Sequence, residues 1–278
     1  MAVSQTQREA ARRIAHEVPD IDANLPKWAQ RKNPIILRQL GAHWRVFLPQ
    51  LGPLIRVFLL QAFIVLMSIQ FGWMYIIILT FLIPVLVALP FVVGLYVQTL
   101  GRAINYAATG MSEEYEHDTL RLLRTTPFST QEIVLSKISA AAWRQAEDME
   151  QLLAYLSIIA VPPLMAIYLA LWPPEEIQGI NQLLTLVTFA SLLIRLPLEI
   201  FMVSALGTML GATIRFRSTA YLATAVLVFF YYLLLFLARF VAMPWPTQMM
   251  VDAIVPLVLP AIIAYGAMRL TVIQIERD

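Results

Sequence analysis

The chain has 278 residues, of which 59% are hydrophobic and only 14% charged, with a formal net charge of +2. Soluble domains carry about 25% charged and 45–50% apolar residues, so a mean hydropathy of +0.71 predicts an integral membrane protein. The absence of cysteine excludes disulfides, thiolate metal sites and cysteine nucleophiles, and three scattered histidines (His16, His43, His117) offer no imidazole-rich metal cluster. The polar N-terminus has no short apolar core followed by a small-residue cleavage site, so no signal peptide is predicted.

Residues 1–32 are soluble and mixed in charge, Arg8, Arg12 and Arg13 being followed by Glu17, Asp20 and Asp22. They read as a cytoplasmic N-terminal segment, either a short surface helix or mobile chain. From Pro34, Ile36, Leu40, Trp44, Phe47 and Leu51 recur at helical spacing, with Arg38 and Arg45 off the stripe. That pattern predicts an amphipathic helix over 33–52 lying in the headgroup plane; an ordinary buried helix is the plainer alternative.

Apolar runs at 54–71 and 74–100, joined at Gly72-Trp73, each approach or exceed the ~20 residues that cross the hydrocarbon. Pro84 and Pro90 are expected to bend the second. A third span is predicted at 152–171, with Pro162-Pro163 in its middle. The fourth apolar stretch, 180–214, is too long for one straight crossing at 1.5 Å per residue; it is tilted, bent at Pro197 or partly interfacial. A fifth span is expected at 221–241 and a sixth at 253–270. With both termini cytoplasmic, 18 of the 20 Lys and Arg fall inside, as the positive-inside rule requires. Arg239 then lies near the outer face and Arg195 within a span. Trp28, Trp44 and Trp143 fall near the inner boundary, and Trp73, Trp172 and Trp245 near the outer.

Residues 111–137, MSEEYEHDTLRLLRTTPFSTQEIVLSK, form the longest polar interval between two long apolar runs. Glu113, Glu114, Glu116 and Asp118 lead into a short leucine-bearing helix, and acids at a helix start complement its dipole. Pro127 disfavours a helical residue before it and ends that helix at Thr125-Thr126. Ser129 and Glu132 then have the spacing of a capping box, which restarts the chain as a second helix. The bland alternative is a solvated loop whose charges only keep it out of the membrane.

This stretch resembles the cytoplasmic coupling segment of the type-2 ABC exporter permeases. The matching residues are Glu113, Glu116, Thr119, Leu120, Leu122, Leu123, Thr126, Pro127, Ser129, Glu132, Ile133 and Lys137. Asp118 and Ser136 stand where that family has glycine before the Thr and the Lys. A second likeness, Asn33-Pro34-Ile35-Ile36-Leu37-Arg38, is similar to the family's N-terminal opening, with Gln39 in place of an acid. The resemblance implies an all-α integral membrane protein of six transmembrane helices. It would carry an N-terminal interfacial amphipathic helix, a six-span domain over 53–278, and a cytoplasmic coupling helix between spans two and three.

No lysine follows a glycine (Lys27, Lys32 and Lys137 are the three present), so the phosphate-binding loop of an ATPase is missing. The chain itself is not expected to be an enzyme or to bind a cofactor; ATP and Mg would belong to a separate ABC ATPase subunit. The resemblance implies that such a subunit docks on Glu113, Glu114, Glu116, Thr119, Leu120, Leu122, Leu123, Thr126, Pro127 and Phe128. It further implies a second permease copy or a related permease, set in the cell membrane. Nucleic acid is not an expected partner, and membrane lipid is. The function so implied is the permease subunit of an ATP-driven exporter. The alternative is a non-transporting structural subunit of a larger membrane complex with a permease-like fold.

Within the spans, Arg195 and Glu199 stand four residues apart, so they share a helix face and can pair. Ionisable residues inside a membrane are costly and are functional candidates by default. They could line a substrate path, hold helices together at a subunit interface, or lie nearer the surface than the span limits suggest. The run Phe229-Phe230-Tyr231-Tyr232 could meet a hydrophobic substrate, or serve as lipid contacts and interfacial anchors. Gly207-x3-Gly211 permits close helix packing, though one such spacing in so apolar a chain also arises by chance.

Overall fold

The computed structural model describes residues 24–41, 51–117, 119, 125–173, 179–214, 216–238 and 243–277. Among the described residues all regular structure is helical. Helix α1, Pro34–Leu40, opens with the Asn33 side chain accepting from the Ile35 N–H at 2.9 Å and with proline at its first position, where a missing N–H costs nothing. It stops at Gly41, whose φ of 55° suits a residue without Cβ. The helix expected over 33–52 is therefore interrupted after two turns. Ile36 and Leu40 of its stripe are buried against Ala140 and Trp143, facing protein; Trp44 and Phe47 lie outside the described residues.

Helix α2 covers Leu51–Gln70, α3 Trp73–Thr80 and α4 Leu82–Glu116. Together α3 and α4 make a rod of 44 residues, about 66 Å at the helical rise, twice the hydrocarbon thickness of ~30 Å. The turn at Phe81 lets Pro84 fall in the first turn of α4, where it removes no helical bond. The rod does not end near residue 100 as expected but runs on to Glu116. Glu113, Glu114 and Glu116 are thus the C-terminal end of a long helix and not the start of a new one, so they oppose its dipole.

Helix α5 is Thr130–Arg144, α6 Ala146–Ile159 and α7 Val161–Leu171. Helices α6 and α7 meet at Ala160 with a 47° bend. Pro162 and Pro163 explain the break: they sit in the first turn of α7 and cannot donate to the end of α6. Helix α8, Ile180–Thr213, starts after Gly179 at φ 81° and runs unbroken through Pro197. Helix α9 is Arg217–Ala238, and α10 is Trp245–Met249. A π turn over Met250–Ile254 joins α10 to α11, Val255–Arg277. Pro256 lacks the N–H that would close an α turn on Asp252, and the wider turn sits at that point. Five helical runs are long and apolar enough to cross a membrane, or six if the bent α6–α7 pair is one span.

Helix α8 is the axis of the bundle and touches α4, α5, α7, α9 and α11. Leu196, Ile200, Met202 and Val203 pack there with Leu100, Ile104, Met111, Val134 and Ile138. Its buried hydroxyls bond back along the helix, Ser204 to the Ile200 carbonyl at 2.7 Å and Thr208 to that of Ser204 at 2.8 Å, so they cost little inside an apolar core. Gly207 and Gly211 face α4. A Cβ at Gly207 would lie 2.8 Å from the Ala107 Cβ, and one at Gly211 would lie 2.5 Å from the Ala108 carbonyl oxygen. The spacing that chance could supply is used here for backbone contact. Large apolar side chains of α2 (Ile55, Leu59, Phe63) and α9 (Leu222, Phe229, Leu234) stay exposed, as a lipid-facing surface requires.

Candidate coupling face and intramembrane polar cluster

The two stretches that carry the family likeness lie about 100 residues apart in sequence and touch in space. Asn33 donates from Nδ2 to the Ser136 hydroxyl at 3.1 Å. Ser136 is fully buried and serves as a contact between α5 and the N-terminal segment. Trp143 donates its indole N–H to the Ala29 carbonyl at 2.9 Å, and Arg31 lies over the same ring at 5.4 Å. The opening segment is thereby pinned along α5.

Beside this contact an ion cluster, with Glu114 and Lys137 buried and Arg38 exposed, joins three helices. Glu114 of α4 lies 3.3 Å from Lys137 of α5 and 3.7 Å from Arg38 of α1, and accepts from the Thr119 hydroxyl. The Lys137 ammonium also donates to the Gly110 carbonyl at 3.3 Å. Its side chain is 4% exposed. Burial pushes that ammonium below its ordinary range, and the charge of Glu114 opposes the shift. Glu113 and Glu116 instead meet Arg217, at 3.0 and 2.8 Å, which ties the end of α4 to the start of α9. These cations offset the three acids at the wrong end of the α4 dipole.

The acids predicted as dock residues are therefore all engaged within the chain. Leu120, Leu122 and Leu123 lie outside the described residues. Thr126 and Phe128 are half-buried and Pro127 is exposed, in the turn that precedes α5. The restart forms as the spacing predicts. Ser129 Oγ accepts from the Glu132 N–H at 3.2 Å, and Glu132 accepts from the Ser129 N–H at 3.0 Å. Those donors hold the exposed Glu132 carboxylate below its usual range, the backbone N–H foremost.

Arg195 and Glu199 lie near the middle of α8 and pair with each other. Glu199 is completely buried. It accepts from Tyr231 of α9 at 2.9 Å and from Tyr96 of α4, and Tyr96 meets the Tyr232 hydroxyl at 2.7 Å. Arg195 stands over the Tyr232 ring at 5.6 Å and lines a cleft with Phe229 and Phe236. One carboxylate thus ties α4, α8 and α9 inside a single chain. The aromatic run divides accordingly: Tyr231 and Tyr232 turn toward Glu199, while Phe229 and Phe230 remain exposed.

A second polar cluster is not foreshadowed by any motif in the sequence. Tyr168 of α7 donates to Asp252 at 2.9 Å and meets the Thr188 hydroxyl of α8 at 2.7 Å, and Gln248 donates to the same Asp252 oxygen at 2.7 Å. The Ser191 hydroxyl donates to the Ala253 carbonyl at 2.7 Å, inside the π turn. The signal that could have found it is Asp252 itself, a lone carboxylate at the edge of an apolar run.

The family model described as ABC-2 family transporter protein matches residues 3–262, nearly the whole chain. The chain belongs to the ABC-2 transporter family. No curated protein and no solved structure matches it. As an ABC-2 permease it is an integral, multi-pass membrane component of transport, not itself catalytic, and the family in general works with an ABC ATPase partner.

Proposed function

We propose that this ABC-2 permease is the membrane-spanning subunit of an ATP-driven exporter and docks a separate ATPase at the turn that precedes α5. It crosses the cell membrane six times, the α6–α7 pair being one broken span, and keeps both termini in the cytoplasm. Two copies, or this chain and a related permease, form the pathway, while ATP and Mg reside on the ATPase. The observation that carries the reading is the rigid mount of that turn. The capping box, the Asn33–Ser136 contact and the Glu114–Lys137–Arg38 cluster hold α5 against α1 and α4. The turn itself presents Pro127 outward. With Glu113, Glu114 and Glu116 committed to Arg217, Lys137 and Arg38, docking rests on Thr126, Pro127 and Phe128 and on the leucines 120, 122 and 123, with the acids fixing the mount. A dock on a rigid base can transmit motion because little binding energy is lost to ordering it.

A pull-down from native membranes in mild detergent tests this, with tagged wild type beside a Thr126→Ala/Pro127→Ala variant. An ATPase subunit recovered with wild type and reduced with the variant is the expected result. Recovery of a stable membrane complex that contains no ATPase overturns the reading and leaves a structural subunit in its place.

A further inference from the structure

A cleft of about 370 Å³ opens between the cytoplasmic half of α4, α1 and the end of α5. That volume suits a small polar headgroup. Its walls carry Arg38, Gln39, Asn105, Tyr106, Thr109 and Arg144, with Glu113 and Glu114 at one end. The lining holds two cations and two acids, but the acids already have counter-charges. Glu114 is matched by Lys137 at 3.3 Å, with Arg38 at 3.7 Å, and Glu113 is matched by Arg217 at 3.0 Å. Arg144 has no carboxylate partner among the described residues. Its guanidinium stacks on Tyr106 at 4.0 Å, and its Nε–H is buried without a hydrogen-bond acceptor.

A half-buried guanidinium with an idle donor is costly unless an acceptor beyond the described residues meets it. Stacking fixes its plane, so the remaining N–H groups form a preset fork, the geometry that suits phosphate. Asn105 is exposed and its side-chain carbonyl already accepts from Thr109 at 3.2 Å, which leaves its NH2 as a further donor at the wall. Trp143, the neighbour of Arg144 on α5, is a residue type that gathers at the membrane–water boundary.

We propose that this cleft binds the phosphodiester headgroup of an anionic lipid of the cytoplasmic leaflet, with Arg144 as its charge partner and Asn105 as a supporting donor. The leaflet follows from the orientation proposed above, but the binding site does not depend on the ATPase dock. Phosphatidylglycerol supplies the required chemistry, and inorganic phosphate is the soluble source of the same group.

The experiment uses the full-length protein in neutral detergent, titrated with phosphatidylglycerol, phosphatidylcholine or inorganic phosphate and read by native mass spectrometry and thermal melting. One phosphatidylglycerol per chain, held several-fold better than phosphatidylcholine, is expected. Arg144→Gln should weaken that binding roughly five- to tenfold, the loss expected for one basic contact to an anionic headgroup. Arg144→Lys should fall between, because lysine keeps the charge without the fork. Arg269→Gln, on an exposed face of α11, should change nothing. Should Arg144→Gln fail to fold, the exposed Asn105→Leu still tests the cleft and is expected to weaken binding with an unchanged melting temperature. Equal binding of both lipids, or indifference to Arg144→Lys and Asn105→Leu, overturns the proposal. Binding of millimolar phosphate that depends on Arg144, with no preference for phosphatidylglycerol, overturns the lipid as its source.

Discussion

Replacing Gly211 by alanine places a methyl group where α4 already stands. The new Cβ would lie 2.5 Å from the Ala108 carbonyl oxygen and 3.0 Å from the Met111 Cβ, against 3.4 Å for ordinary contact. The obstacle is backbone, so relief requires α4 and α8 to part by roughly 0.9 Å over this turn. Overpacking of this kind costs about 1–3 kcal/mol, while alanine returns up to about 1 kcal/mol of helix propensity. The net expectation is a loss of about 1–2 kcal/mol, or a fall of a few degrees in melting temperature at about 2–4 °C per kcal/mol. Gly207→Ala meets its nearest atom at 2.8 Å, so its loss should be smaller, about 0–1 kcal/mol by the same balance. At Gly266 an added methyl group would find nothing within 4 Å, and Gly266→Ala should hold or raise the melting temperature. The assay is thermal melting of the three detergent-purified variants by size-exclusion chromatography. If Gly211→Ala melts at or above wild type, or no lower than Gly266→Ala, the close approach of α4 and α8 is wrong.

Replacing Lys137 should destabilise by up to about 3–5 kcal/mol, because the buried Glu114 keeps only Arg38, at 3.7 Å, as counter-charge. Lys137→Met should therefore melt well below the double variant Lys137→Met/Glu114→Gln, and equal melting would refute the pairing. Tyr231→Phe removes a hydrogen bond to the buried Glu199 carboxylate, worth about 1.5–3 kcal/mol, and the same melting assay should register the loss; Phe230→Leu, on the exposed side, should not. Ser129→Ala deletes the helix cap at a cost of about 1 kcal/mol, seen as faster backbone exchange in the first turn of α5. The folded state holds Glu132 below its usual pKa, so its contribution is present above the ordinary carboxylate range and is lost as pH falls through the depressed value. The exchange difference between wild type and Ser129→Ala should accordingly shrink on acidification.

Hydropathy and proline placement make the helical runs legible. The apolar stretches at 54–71, 180–214 and 221–241 correspond to α2, α8 and α9 within a few residues, and Pro162-Pro163 marks the α6–α7 break. The capping box is readable because it is local, four residues whose bonds close on one another. Three expectations fail because local pattern does not decide them. Apolarity fades near residue 100, which suggests a helix end, yet α4 continues because helical propensity does not require a lipid environment. The stripe Ile36, Leu40, Trp44 fits helical spacing across Gly41, where a single backbone torsion makes the interruption. The acids look like a free lead because their partners Arg217, Lys137 and Arg38 are up to about 100 residues distant. Arg195 and Glu199 can be paired from spacing alone, but Tyr96, Tyr231 and Tyr232 complete their surroundings only through packing.

Helices α4 and α9 are tied to each other at two levels. Where α4 ends and α9 begins, Arg217 holds Glu113 and Glu116, and further along the bundle Tyr96 and Tyr231 both converge on Glu199. Along α4 the two ties are separated by the interval from Tyr96 to Glu113, about 26 Å at the helical rise, and along α9 by that from Arg217 to Tyr231, about 21 Å. The exposed Arg217 bridges are weak and screened by salt, whereas the Glu199 contacts are buried and costly to break. A force applied at the end of α4 would therefore meet the weaker tie, at Arg217, before the stronger one at Glu199. Between the two levels, Gly207 and Gly211 hold α8 against α4 at backbone distance, so α8 must move with α4 or lose that contact. The residues that set the stiffness of this coupling are thus the two glycines and the Glu199 cluster, while Arg217 sets only the threshold at which the ends part.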